Sequence, residues 1–174
     1  MSLLSCQKDK EVECNNAPFN KLFKSALVNE VEDEFTMDTQ IQGYYFKLSQ
    51  NAKVCKIGYQ SFKEVASSNY HFSIVDSSSG KTIFIQSQTF SPNETSYMIP
   101  DNSVNLEKNK TYLIKRKITD YGQYISNTIG RVAIDFQNGI NFPLNNGIIT
   151  ITGGHFYDGD FNKNLFPYID LQFE

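Results

Sequence analysis

Tyr70–Phe90 reads YHFSIVDSSSGKTIFIQSQTF, and Asn105–Ile118 reads NLEKNKTYLIKRKI. In the first stretch Tyr70, Phe72 and Ile74 alternate with more polar residues, the period of a strand with one face buried. Ser77-Ser78-Ser79-Gly80 is a hairpin turn signal. The return strand follows, with Ile83 and Ile85 on one face. After a loop and a short apolar step at Tyr97–Ile99, Lys108-Asn109-Lys110 turns the chain into a further strand, Thr111–Ile118. Short apolar runs separated by Gly, Ser, Asn and Pro clusters predict an all-β, antiparallel β-sandwich, jelly-roll-like, of about nine strands.

Working outward, Gln42–Leu48 places Tyr44, Phe46 and Leu48 on one face, and Lys53–Tyr59 returns after Ser49-Gln50-Asn51. Arg131–Phe136, Ile148–Tyr157 and Tyr168–Phe173 complete the strands, with Gly153-Gly154 marking a bulge or bend. On the N-terminal side, Pro18 precedes Phe19, Leu22, Phe23, Ala26 and Leu27, the stripe of an amphipathic helix with proline in its first turn. The organisation expected is a polar tether over 1–17, a helix or arm over 18–38 and the sandwich over 39–174. Glu30–Glu34 is expected to be solvated charge near a strand start.

The composition, 40% hydrophobic and 20% charged over 174 residues, is that of a globular domain with a sizeable core. A net charge of −3 lacks the basic footprint a nucleic-acid partner needs. The densest basic run, Lys115-Arg116-Lys117, is expected to be a solvated strand edge or face. No apolar run reaches the roughly 20 residues of a membrane-spanning helix.

Leu3-Leu4-Ser5-Cys6 resembles a bacterial lipobox, and the polar Gln7–Glu11 that follows resembles the export segment of Bacteroidetes surface lipoproteins. The resemblance implies a lipid anchor on Cys6, membrane attachment in the natural precursor, and an outer-membrane or cell-surface address. Only five residues precede Cys6, fewer than an export signal requires, so the precursor is expected to begin further upstream. Cys14 and Cys55 could be joined in an exported protein. Cys55, however, alternates with Ile57 and Tyr59 like a small buried apolar residue, and no disulfide is expected.

Further features are similar to a bacterial β-sandwich family of unknown function found in secreted and surface proteins, often beside adhesive or carbohydrate-active modules. They are Ile57-Gly58-Tyr59, His71–Asp76, Gly80–Ile83, Leu106 with Thr111–Ile114, and the closing Ile151–Phe156, Phe166-Pro167 and Asp170–Phe173. This chain departs from the family at Val75, where Trp is common, and at Asn109-Lys110, where Gly is common. The resemblance implies the fold, and supplies no catalytic residues.

Candidate sites lie in loops, which on sandwiches commonly carry binding. Tyr121, Tyr124, Tyr157 and Phe161 could stack on sugar faces. Asp158, Asp160 and Asn162 place oxygen ligands at alternate positions, a spacing that would suit calcium, although the EF-hand pattern fails at its later positions. No other cofactor is expected. His71 is expected to be structural. His155 near Asp158 and Asp160 lacks a nucleophile motif. The expectation is a non-catalytic surface lipoprotein whose domain binds carbohydrate or a partner protein. The alternatives are a glycan-active hydrolase using Asp158 and Asp160, or a structural subunit of an envelope complex.

Overall fold

The computed structural model describes Cys14 and residues 16–28, 31–37, 39–62, 67–124, 129–156 and 160–174, without the side chains of Met37, Tyr124, Ile129 and Asp160. Its elements are α1 (Pro18–Leu27), β1 (Glu32–Met37), β2 (Ile41–Leu48), β3 (Ala52–Tyr59), β4 (Tyr70–Asp76), β5 (Thr82–Gln88), β6 (Ser96–Met98), β7 (Val104–Leu106), β8 (Thr111–Ile118), α2 (Tyr121–Tyr124), β9 (Ile129–Ile134), β10 (Leu144–Asn146), β11 (Ile149–Phe156), β12 (Asp160–Asn162), β13 (Leu165–Pro167) and β14 (Asp170–Phe173).

All strand pairs are antiparallel. A large sheet runs β10-β11-β2-β8-β4-β5, with β12 also on β11; a smaller one runs β14-β3-β6, with β7 also on β3. A third, lateral sheet runs β1-β9-β13. The antiparallel sandwich expected from the alternating stretches is therefore present. Its strands outnumber the expected nine because β6, β7, β10, β12 and β13 have three residues each, too few for a period-two pattern to register.

Tyr70, Phe72 and Ile74 of β4 face inward beside Tyr44 and Phe46 of β2 and Ile114 of β8. Across from them stand Ile57, Tyr59, Met98, Leu171 and Phe173 of the smaller sheet, in one continuous core. Tyr59 joins the layers, its ring 5.0 Å from Tyr70 and 5.6 Å from Phe72. On β5 Phe84 enters the core, paired with the inward Ile74; Ile83 is the extra residue of a bulge and packs partly buried against the core, while Ile85 pairs with Ser73 and is 70% exposed.

The helix expected after Pro18 forms, and it buries the predicted stripe of Phe19, Leu22, Phe23 and Ala26. Phe19 lies against Tyr44 at 5.2 Å, and Phe23 meets Tyr168 edge-on at 4.9 Å. Each such side chain contributes about 1.5–3 kcal/mol of burial, so α1 belongs to the core. Residues 32–34 are exposed on β1, and Asp33 receives a bidentate pair of hydrogen bonds from Arg131 at 2.7 and 2.8 Å.

Two expectations are corrected. Cys14 and Cys55 form a disulfide, with Cα atoms 5.8 Å apart. β3 is bulged against β14: Gln172 pairs with Lys56 and Phe173 with Val54, leaving Cys55 unpaired between them. Both Val54 and Ile57 enter the core, so the simple alternation that read Cys55 as an apolar core residue breaks there. The N-terminal arm then runs beside β14. Phe173 N–H donates to Asn16 O at 2.8 Å and Asn16 N–H to Phe173 O at 3.3 Å, which brings Cys14 within reach.

The second correction concerns Arg116, which is completely buried while Lys117 is exposed. β8 lies inside the large sheet, and its alternation sends Ile114, Arg116 and Ile118 inward. The Arg116 guanidinium sits 5.5 Å from the Tyr59 ring and 5.8 Å from Tyr70, and Nη1 donates to Thr39 O at 3.0 Å. A planar, weakly hydrated guanidinium tolerates this setting where an ammonium would not.

Candidate functional site

The alternation on β2 that buries Tyr44, Phe46 and Leu48 turns Tyr45 and Lys47 to the outer face of the large sheet. Next to Tyr45, β11 carries the irregularity that Gly153-Gly154 predicted. Ile151 pairs with Phe46 and Gly153 with Tyr45, leaving Thr152 as the extra residue of a bulge. Beyond it Phe161 of β12 stands opposite His155. Its ring lies directly over Gly153, where any Cβ would overlap it. Glycine is required at this position by close approach, and the Phe161 ring fills the space a side chain there would take.

The result is an open cleft of about 470 Å³ lined by Tyr45, Ser77, Ser78, Thr111, Thr152 and Phe161. The lining is two aromatic rings and four hydroxyl-bearing residues. Phe161 is 60% exposed, one of several exposed apolar side chains together with Ile85, Ile99 and Phe136, and it is the one that lines this cleft. Tyr45 is held in place: its hydroxyl is 3.3 Å from His155 Nδ1, and the two rings meet edge-on at 5.7 Å. The hairpin side of the cleft is fixed by Asp76, whose Oδ1 accepts from Ser78 N at 2.9 Å and Ser78 Oγ at 2.6 Å. The Ser78 hydroxyl and N–H, with Lys110 nearby, hold the Asp76 carboxyl below its usual value.

Of the aromatic residues expected to bind, Phe161 reaches this cleft. Tyr121 does not: it is half-buried against the main core. Tyr157, Asp158, Cys6 and the side chains of Tyr124 and Asp160 lie outside the described residues. Asn162, expected as a metal ligand, uses its Oδ1 to accept from Asn164 N at 2.7 Å and Leu165 N at 3.2 Å, closing the β12–β13 turn. Among the described residues no cluster of three or more His, Cys, Asp or Glu is placed to hold a metal. His71 reaches Ser87 Oγ through Nδ1, the cross-strand structural role expected of it. Tyr45 was not singled out from the sequence, although the alternation that buries Tyr44 already turns it outward.

A second constellation is internal. Asp170 on β14 is fully buried, and its Oδ2 accepts from Tyr97 Oη at 2.9 Å and Gln172 Nε2 at 3.0 Å, while Oδ1 has no partner among the described residues. Burial pushes the Asp170 carboxyl up, partly offset by those two hydrogen bonds. Burial and the Asp170 charge push Tyr97 up in turn. Gly58 admits the Tyr97 ring, which would meet a Cβ at 2.5 Å. With Asp170 enclosed in the smaller sheet, its chemistry is that of a buried polar anchor. Two adjoining clefts of about 460 and 490 Å³ lie around Asp135 and Asn138, the latter beside the exposed Phe136. Asp135 Oδ1 there accepts from Gln137 N and Asn138 N, and so serves its own turn.

Compared with known proteins, the chain matches no protein-family model and no curated protein.

Proposed function

We propose that the chain is a non-catalytic, carbohydrate-binding β-sandwich displayed at the cell surface on a lipid attached to Cys6. The observation that carries the binding reading is the Tyr45–Phe161 cleft. A sugar ring presents an apolar C–H face and a rim of hydroxyls. The cleft offers flat aromatic rings beside hydroxyl groups, with the rings pre-positioned by the Gly153 contact and by His155. Among the described residues the lining is made of aromatic rings and hydroxyl groups, which suits recognition of a sugar. The Cys14–Cys55 disulfide supports an oxidising, exported setting. Cys6 is then the one cysteine of the chain outside that pair, as the lipobox resemblance requires.

Calorimetric titration with oligosaccharides of different sugar composition tests the binding reading. Phe161→Ala should weaken the bound sugar by about tenfold or more, equivalent to about 1.4 kcal/mol, without a change in melting temperature. Equal affinity of the variant would refute the cleft as the site. Labelled palmitate should enter the full-length precursor and fail to enter its Cys6→Ala variant; equal labelling of both would remove the anchor.

A further inference from the structure

The outer face of the large sheet has a charge character opposite to that of the whole chain. Strand registers align Lys47 with Thr111, Tyr45 with Leu113, Gly43 with Lys115 and Ile41 with Lys117. Lys47, Lys115 and Lys117 therefore share one face with Tyr45, and Phe161 joins it opposite His155. The face continues over β4 and β5 through His71, Ser73, Ile85 and Ser87. None of the outward strand positions of this face is Asp or Glu, although the chain carries 19 acidic residues and a net charge of −3. Among the described residues the three lysines form no ion pair. Of the carboxylates at the neighbouring turns, Glu107 pairs with Lys110 at 2.7 Å and Asp76 accepts from the Ser78 groups, while Asp120, in the turn after β8, is exposed. From Lys47 to Lys117 the stripe runs about 20 Å, at roughly 3.4 Å per strand residue. That length accommodates several sugar units.

Three unneutralised cations on one sheet face raise the local potential for an anionic ligand, and the rings between and beside them select for a ligand with an apolar face. Resting on the carbohydrate reading above, we infer that the ligand is an acidic glycan, lying along β2 and β8 with a sugar on Tyr45 and Phe161 and its carboxylate or sulfate groups on Lys115 and Lys117. A flexible ammonium is a point charge without bidentate geometry, so either anionic group fits.

The test is calorimetric titration of the intact chain at low salt with four probes: oligogalacturonate, chondroitin sulfate oligosaccharide, neutral galactan oligosaccharide and polyglutamate. Lys115→Gln/Lys117→Gln and Phe161→Ala are compared with the parent, with folding checked by circular dichroism; Lys117 is exposed and Lys115 half-exposed, so the double variant should keep its fold. The expected result is binding of at least one acidic oligosaccharide, weakened about tenfold or more by the lysine variant and separately by Phe161→Ala, and weakened by salt. Preference between the galacturonate and the sulfated probe identifies the anionic group. Binding of neutral galactan at equal strength, indifferent to the lysine variant, overturns the acidic-glycan inference and leaves the carbohydrate reading standing. Polyglutamate binding as tightly as the sugars reduces the face to a general polyanion site and also overturns it. Binding of none of the four overturns it together with the carbohydrate reading for these sugars.

Discussion

Replacing both Cys14 and Cys55 with serine should cost a large share of this domain's stability. The bond spans 41 residues of sequence, and in the chain-entropy account the closure of a loop that size restricts the unfolded chain by about 4 kcal/mol. Against a typical total of about 5–15 kcal/mol, that is a major loss. For a chain of this size it corresponds to a fall of roughly 10–15 °C in melting temperature. The perturbation also has a local face. The arm is held by the Asn16–Phe173 bridge, and without the bond that bridge must bear the arm alone, so it should fray first. The assay is guanidinium unfolding followed by far-UV circular dichroism, on the oxidised parent, the reduced parent and the double serine variant. Both perturbed forms should shift to a lower midpoint by similar amounts, with the main sheet signal retained before the transition. Alkylation of the unfolded, unreduced protein should modify one cysteine of the three. A midpoint unchanged within about 1 kcal/mol, or three alkylated thiols, would refute the reasoning.

Asp170→Asn should stabilise the fold at neutral pH, because the amide removes a buried charge while its oxygen can still accept from Tyr97. The Asp170 carboxyl is raised in the fold from a reference of 3.8. Parent stability should therefore fall as pH rises from about 4 through the raised value, and the advantage of the variant should vanish in acid; an advantage that persisted at pH 3 would argue against this. Asp76 has the opposite sign: its carboxyl is held below 3.8 by the Ser78 hydroxyl and N–H. Its contribution should be complete above about pH 4 and lost as pH falls through the depressed value, so the melting temperatures of the parent and Asp76→Ala should converge in acid. Arg116→Ala should cost about 3 kcal/mol or more by leaving a cavity and removing the donor to Thr39 O, measured by urea unfolding, and Arg116→Lys should recover only part of it.

The sequence by itself determined what neighbouring residues settle among themselves. Alternation at Tyr44–Leu48 and Tyr70–Ile74 fixed strands and their buried faces. Ser77–Gly80, with Gly80 at φ +69, fixed a hairpin, and the Phe19–Ala26 stripe behind Pro18 fixed a helix. Even the bulge at Gly153-Gly154 was legible, because glycine in a strand signals close approach. Tertiary structure decided everything that depends on which strands become neighbours. Cys55 faces Cys14 because of a bulge against β14, whose strand lies at the far end of the chain. Arg116 is buried because β8 ended up between β2 and β4, with Tyr59 across the sandwich to receive it. Phe161 lies beside Tyr45 because β12 and β2 both pair with β11. The lysine stripe exists only once β2 and β8 are in register. Local pattern carries the periodicity of a strand but not the identity of its neighbour, since that choice is made by burying distant surfaces together. The proposed binding face is a property of strand order.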